Sequence, residues 1–162
     1  MVALIEAPST IGSFYVSAST RGVVGVTFPG VSPERHFSRS AAPFDEDGMD
    51  IATTAANQIR QFIAKEITQF TVAVDLFGER PFRRAVYEAL RQIPYGDTVT
   101  YGELAIIAGH PGAARAVGAA MKNNPVPLII PCHRVVGAGN APGGWSGPQG
   151  LKELLLDLEQ SK

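Results

Sequence analysis

The single cysteine of the chain, Cys132, is the strongest candidate for chemistry, because a thiolate is a good nucleophile. His133 follows it directly and could accept its proton. Cys132 also follows the apolar segment 126–130 and Pro131, so we expect a buried strand-like segment that ends just before the thiol. A lone cysteine is often only a small buried hydrophobe, and this alternative stays open here.

A carboxylate that could hold the histidine occurs in the last predicted helix, which Pro148 opens. On a helical wheel Glu159 lies about 40° from Leu155, on the leucine-rich face, whereas the other two acids of this helix lie opposite. Glu159 is therefore the acid predicted to point inward. A histidine held by a carboxylate would raise the small thiolate fraction of Cys132 at neutral pH, so Cys132, His133 and Glu159 fit an activated-thiol site.

Charge is distributed unevenly, although the net charge is only −1. Residues 1–75 carry five basic and eight acidic side chains, whereas residues 76–162 carry nine and seven. Between Glu103 and Glu153 there is no acid, and this window contains Arg115, Lys122, Arg134 and Lys152. An acid-free stretch around the only cysteine favours an anionic partner, with chance in a Gly/Ala/Pro-rich segment as the alternative.

Several classes of protein are disfavoured by composition. One cysteine rules out an intramolecular disulfide, and three scattered histidines do not have metal-ligand spacing. We therefore expect a reduced compartment, with no metal and no cofactor. The sequence has no apolar run of about 18 residues and no secretory leader, which predicts a soluble, cytoplasmic protein that does not enter membranes.

The first half of the chain predicts a small sheet covered by one helix. Two Val-, Phe- and Tyr-rich runs are separated by a turn-prone tetrapeptide and should form a hairpin. The predicted elements are strands 13–18, 22–28 and 71–76 and helix 50–65, with a surface loop over 29–48.

The second half predicts mainly helices. Pro81 can open a helix over 81–93, and Thr100 to Glu103 has the form of a capping box for a helix that ends near Gly109. A tight turn then leads into helix 111–122. Two short helices joined in this way suggest a helix-turn-helix, although helical hairpins are common and a basic residue there could be a solvated surface charge.

We therefore predict an α/β (α+β) chain of two domains: residues 1–75, with a small sheet and a covering helix, and the mainly helical residues 76–162. The loop 137–150 contains six glycines and two prolines around Trp145 and Ser146. Such a loop can fold closely over a flat ligand, and the tryptophan argues against a simple linker.

The string IPCHRVVG, preceded by NNPVP and by GAARAVGAAMKNN, resembles the active-site signature of the O6-alkylguanine-DNA alkyltransferases. The resemblance extends from Phe82 to Glu159 and, more faintly, through SFYVSA, GVVGVTF and IRQFIAKEITQFTVAVDL. It implies DNA repair by one irreversible transfer of the alkyl group from O6-methylguanine, or O4-methylthymine, to the protein's own Cys132. It also implies double-stranded DNA as the partner and a monomer that rotates the damaged nucleotide out of the duplex.

The resemblance also implies roles for individual residues. Asn124 would brace the active-site loop, the Cys132 and Val135 carbonyls would bind the guanine amine, and Arg115 would fill the space of the rotated base. The implied catalytic residues are Cys132, His133, Glu159, Asn124 and Tyr101. The implied DNA contacts are Arg115, Tyr101, Gly102, Ser146 and Lys122, and the implied base pocket is Val135, Trp145 and Ser146.

Two positions depart from the family pattern, and two rival functions stay open. Trp145 stands where Tyr is usual and Pro148 where Gly is common, so the range of accepted alkyl groups is not fixed by the resemblance. One rival is a cysteine hydrolase that uses Cys132 and His133 with repeated turnover. The other is a DNA-binding module that leaves the thiol unmodified.

Overall fold

The structure is a computed structural model that describes residues 3–32, 46–140 and 147–160. Contacts divide the chain into two compact units, Met1–Leu76 with Pro125–Pro127, and Phe77–Asn124 with Leu128–Lys162. The sequence prediction placed one boundary at residue 75 and did not include the tripeptide in the first unit. No helix within the described ranges is both long and apolar enough to cross a membrane.

The first unit contains an antiparallel sheet in the order β1 (Ala3–Ala7), β2 (Phe14–Ser19) and β3 (Gly22–Thr27). The predicted hairpin is confirmed as β2 and β3, with a bulge between Ser17 and Ala18. β1 was not predicted, because its five residues include one polar residue, Glu6, and so show little of the apolar–polar alternation that indicates a strand.

Helix α1 (Glu46–Ile63) packs on this sheet. It begins four residues before the predicted helix start, while residues 33–45 of the predicted loop lie outside the described part of the chain. Its buried face begins with alanines, which allow the helix to approach the strands closely, and ends with larger side chains. These buried residues are Ala52, Ala55, Ala56, Ile59, Phe62 and Ile63.

The predicted strand over 71–76 is wrong, because this segment makes only an isolated parallel bridge between Val23 and Val74. The Val23 amide donates to the Ala73 carbonyl at 2.9 Å, and the Asp75 amide donates to the Val23 carbonyl at 2.9 Å. A Cβ atom at residue 22 would lie 2.8 Å from the Ala73 carbonyl oxygen, so this close approach requires Gly22.

The second unit begins with α2 (Pro81–Leu90), followed by the short strand β4 (Val99–Thr100) and helices α3 (Tyr101–Ile107) and α4 (Ala114–Lys122). The predicted capping box is confirmed. The Glu103 amide donates to the Thr100 hydroxyl at 3.1 Å, and that hydroxyl donates to the Glu103 carboxylate at 3.0 Å. Helices α3 and α4 pack against each other and against α2.

The predicted buried strand over 126–130 is also wrong. The segment is buried but forms a turn, with Leu128 at a left-handed φ of 74°. Pro127 removes an amide donor from this short run, and Pro125 and Pro131 flank it, which makes a continuous strand ladder unfavourable. Strand β5 (Val135–Val136) comes later, pairs in parallel with β4, and is followed by α5 (Leu151–Gln160).

Candidate active site

The turn before Cys132 is closed by side-chain and backbone hydrogen bonds. The Asn124 side-chain amide donates to the Ile130 carbonyl at 2.9 Å, and the Cys132 amide donates to the same carbonyl at 2.8 Å. Cys132 then opens a single 3-10 turn, Cys132–Arg134, whose side chains are all buried. Two hydrogen bonds to the Ile130 carbonyl therefore hold the tight turn that positions the thiol.

His133 and Glu159 form a buried hydrogen bond, with 2.6 Å between the His133 Nε2 and the Glu159 Oε2. The helical wheel predicted the inward direction of Glu159, and its side chain is 1% exposed. An ionised carboxylate can only accept, so Nε2 carries the proton and Nδ1 is the acceptor nitrogen. Nδ1 is buried and has no hydrogen-bond partner among the described residues, which makes it the site's available base.

The ionisation states of this pair are set by burial and neighbouring charge. Burial alone would raise the pKa of Glu159, but hydrogen bonds and charge from His133 and Arg134 outweigh it, and the pKa is lowered. Burial lowers the pKa of His133 below 6.5, and the opposing effect of Glu159 does not reverse this. At neutral pH the pair is thus an ionised carboxylate and a neutral imidazole.

The protonation state of the thiol differs from the sequence expectation. Burial raises the pKa of Cys132 to about 11, although a hydrogen bond from Asn124 and the charge of Lys152 act in the opposite direction. Lost hydration of the sulfur anion thus opposes the expected enrichment in thiolate, because it outweighs the effect of the polar neighbours of the sulfur. A reaction near neutral pH then has to remove the thiol proton before or during the attack of the sulfur.

Arg134 is part of this cluster, which the sequence analysis did not foresee. Its Nε donates to the Glu159 Oε1 at 2.6 Å, and its Nη1 donates to the Ile93 carbonyl at 2.8 Å. The sequence analysis grouped Arg134 with cations that face an anionic partner. That grouping is wrong for Arg134, because its guanidinium is buried and paired with Glu159.

Lys152 is a second cation that the sequence analysis did not place in the site. It is 2% exposed, and its Nζ donates to the Val135 carbonyl at 2.5 Å. Burial lowers the pKa of Lys152. Its spacing could have revealed it, because Lys152 precedes Glu159 by two helical turns and so shares the inward face of α5.

The predicted DNA contacts that the structure describes lie on α3 and α4. Tyr101 and Gly102 begin α3 and are half-buried, and a Cβ atom at Gly118 would lie 4.0 Å from the Tyr101 ring. Arg115 and Lys122 are exposed on one face of α4. Helix α4 therefore presents two exposed cations on one face, and a Cβ atom at Gly102 on α3 would meet no neighbour within 4 Å.

The base-pocket prediction is only partly described. The Val135 carbonyl accepts from Lys152, and the Cys132 carbonyl accepts from the Val135 amide, so each keeps a second lone pair for another donor. Trp145 and Ser146 lie outside the described residues. The structure thus brings together Cys132, His133, Glu159 and Asn124, and adds Arg134 and Lys152.

Comparison with known proteins identifies the class of this fold and site. The family model described as 6-O-methylguanine DNA methyltransferase, DNA binding domain, matches residues 81–161, which is half of the chain. A solved structure of a Mycobacterium tuberculosis protein, OGT in complex with DNA, superposes with a TM-score of 0.78 at 36% identity, covering 97% of this chain and 91% of that one. The chain belongs to the 6-O-methylguanine DNA methyltransferase family, and the resemblance seen in the sequence is confirmed.

Individual relatives agree with this family. A methylated-DNA–protein-cysteine methyltransferase of Mycobacterium tuberculosis is 47% identical over 108 residues, 67% of this chain and 65% of that protein. The inducible methylated-DNA–protein-cysteine methyltransferase of Bacillus subtilis is 36% identical over 155 residues, 91% of this chain and 84% of that protein. The match to the mycobacterial relative therefore spans about two thirds of its length, and the match to the Bacillus relative most of it.

Proposed function

We propose that this chain repairs DNA by transferring the alkyl group of O6-methylguanine, or of O4-methylthymine, to its own Cys132, once per molecule. The observation that carries the proposal is the buried Cys132 beside a neutral His133 that Glu159 holds at 2.6 Å. This arrangement lies inside the segment that matches the family model. Catalytic roles for Cys132, His133, Glu159, Asn124 and Tyr101 are part of the proposal.

The reaction is a displacement at the alkyl carbon. A bond forms between the Cys132 sulfur and this carbon as its bond to guanine O6 breaks, and the guanine leaves with the electron pair. His133 Nδ1 takes the thiol proton, directly or through water, while Glu159 stabilises the developing imidazolium. The guanine anion gains a proton from a nearby donor, for which we propose Tyr101, and the imidazolium proton then returns to the Tyr101 oxygen, so that in the net reaction one proton replaces the alkyl group on guanine.

The single turnover follows from the product. A thioether has no activated leaving group, unlike the thioester of a cysteine hydrolase, so water cannot regenerate the thiol. Burial of Cys132 also protects the thiol before the reaction, because a thiol with a pKa of about 11 is almost entirely protonated at neutral pH. The thiol would thus react slowly with electrophiles that the site does not bind.

Double-stranded DNA is the proposed partner, with the chain acting as a monomer. The lesion atom is inaccessible inside a duplex, so the nucleotide must rotate out, and Arg115 on α4 would occupy its place. Gly102, Lys122 and Ser146 are the further proposed DNA contacts, and Val135, Trp145 and Ser146 the proposed base pocket. The support is an exposed, cationic face on the second helix of a helix pair. The cytoplasmic location stays a prediction from the sequence.

Incubation with a duplex that contains one O6-methylguanine tests the proposal. The intact protein should gain the mass of one methyl group, located on Cys132 by peptide mapping, and product should plateau at one equivalent. Cys132→Ser should lose transfer and keep its affinity for the duplex. Sustained turnover on an ester would indicate a cysteine hydrolase instead, and duplex binding without any mass change would indicate a binding module.

A further inference from the structure

One buried carboxylate serves two different partners in the candidate site. The Oε2 of Glu159 pairs with His133 at 2.6 Å, while its Oε1 lies 2.6 Å from the Nε of Arg134 and 2.5 Å from the Nη2. The two oxygens are thus divided between a neutral ring and a permanent cation. Arg134 follows His133 directly in the chain, so both partners come from the same 3-10 turn.

Arg134 is held in place independently of Glu159. Its Nη1 donates to the Ile93 carbonyl at 2.8 Å, and its guanidinium lies 5.8 Å from the centre of the Tyr95 ring. A guanidinium stays protonated at all relevant pH values, and here two of its nitrogens converge on one carboxylate oxygen, Oε1 of Glu159. Arg134 therefore supplies a fixed positive charge on the carboxylate that also contacts the imidazole.

The charge matters because a lone buried carboxylate would favour a protonated histidine. In such a pair the imidazolium is stabilised by the negative charge and ceases to be a base. Burial is the largest effect that lowers the pKa of His133. Among the described charged or titratable groups near the ring, Glu159 favours its protonation, Arg134 and Lys152 oppose it, and Cys132 and Tyr95 are neutral. Among these, only Arg134 acts directly on the carboxylate that holds the ring.

We propose that Arg134 is a positioning residue that neutralises Glu159, so that Glu159 orients the His133 ring without converting it to an imidazolium. His133 then stays an unprotonated acceptor beside Cys132 before the reaction. The inference rests on the proposed role of Cys132 as the alkyl acceptor. It assigns Arg134, the arginine of the sequence CHR, to keeping His133 able to accept a proton, and not to contact with DNA.

The pH dependence of Cys132 alkylation by iodoacetamide tests this role without DNA. In Arg134→Met the acid limb of the rate profile should move to higher pH, because Glu159 then stabilises protonated His133. On that limb the rate should fall at least about tenfold relative to the native protein. A tenfold change is the lower end of the effect that one neighbouring charge has on the protonation equilibrium of a titrating group. Arg134→Lys restores the charge and should keep the limb near its native position, even if the plateau rate falls.

A double variant separates action through Glu159 from a general structural effect. In a Glu159→Gln background there is no carboxylate to neutralise, so Arg134→Met should no longer move the acid limb upward. An unchanged limb in Arg134→Met would overturn the proposal. So would an equal loss of rate at every pH, because that result indicates only a structural role.

A direct measurement covers the case in which Arg134→Met does not fold. The imidazole resonance of His133, identified by its loss in His133→Gln, should report a mostly neutral ring at pH 6.5 in the native protein. A ring that is mostly protonated at this pH would overturn the proposal. Transfer from O6-methylguanine duplex, run in parallel on native protein, tests the proposed function separately, since neither the thiol titration nor the resonance depends on it.

Discussion

At the residue scale, the candidate site places a thiol where its anion is unstable. Burial raises the pKa of Cys132 to about 11, and the neutral His133 next to it has a buried acceptor nitrogen. Near neutral pH the thiol proton therefore has to be removed before or during the attack of the sulfur. The side chains that favour the anion are the Asn124 amide and the Lys152 ammonium, and the backbone amides of Cys132 and His133 add to them.

Removal of the Lys152 charge should therefore slow alkylation of Cys132. In Lys152→Met the sulfur anion loses a cation that stabilises it, so iodoacetamide should react roughly threefold to tenfold more slowly at neutral pH. Lys65→Met, which removes the same charge from an exposed position after α1, is the matched control and should react at the native rate. An equal rate in Lys152→Met would show that Lys152 only holds the Val135 carbonyl.

At the element scale, α3 and α4 form the helix pair that the sequence predicted, and their role in base rotation can be separated from alkyl transfer. Arg115→Ala should slow repair of an O6-methylguanine duplex at least about tenfold, because nothing then fills the space of the rotated base. Reaction with free O6-benzylguanine requires no rotation and should change little. Single-turnover rates on both substrates provide the comparison.

Arg60→Ala is the matched control, since this arginine is exposed on α1 and should affect neither substrate. Equal losses on both substrates in Arg115→Ala would place this residue in support of the active site itself. No loss on either substrate would reduce Arg115 to a solvated surface charge.

A second prediction at this scale concerns the end of α1. The Glu66 amide donates to the Gln61 carbonyl at 2.8 Å and the Lys65 amide to the Phe62 carbonyl at 3.1 Å, a Schellman motif with Lys65 at a φ of 62°. Glycine adopts this conformation without strain, so Lys65→Gly should raise the free energy of unfolding by about 0.5–1 kcal/mol. Lys65→Ala removes the same side chain but keeps the strained Cβ, so denaturant titration should show no such gain for it.

At the scale of the whole molecule, the buried ion cluster links stability to pH. The pKa of His133 is lowered from 6.5, so the unfolded chain binds its proton first and stability falls as pH drops below 6.5. The pKa of Glu159 is lowered from 4.5, so its contribution is present above 4.5 and is lost as pH falls further. Acid should therefore destabilise the fold in two stages.

Urea denaturation from pH 8 down to acidic pH measures these stages. His133→Gln has no titrating ring at this position and should lose the upper stage, while Glu159→Gln should lose the lower one. A native protein whose unfolding free energy does not change between pH 7 and pH 5 would contradict the assigned protonation of His133.

Local sequence determined the features whose interactions lie within a short stretch of the chain. The capping box at Thr100, the hairpin of β2 and β3, and the inward direction of Glu159 all depend on neighbours within one or two turns of chain, and the structure confirms each. The family was also recognisable from IPCHRVVG and its flanks, because the residues of this signature are contiguous in the sequence.

Tertiary structure decided what depends on partners distant in the chain. Segments 71–76 and 126–130 look like strands by composition, but a strand requires a continuous partner ladder, and neither segment has one. Arg134 reads as a surface cation until α5 brings Glu159 to it from 25 residues away. The pKa of Cys132 likewise depends on the hydration lost in the folded core, because burial and not the adjacent histidine sets the energy of its anion.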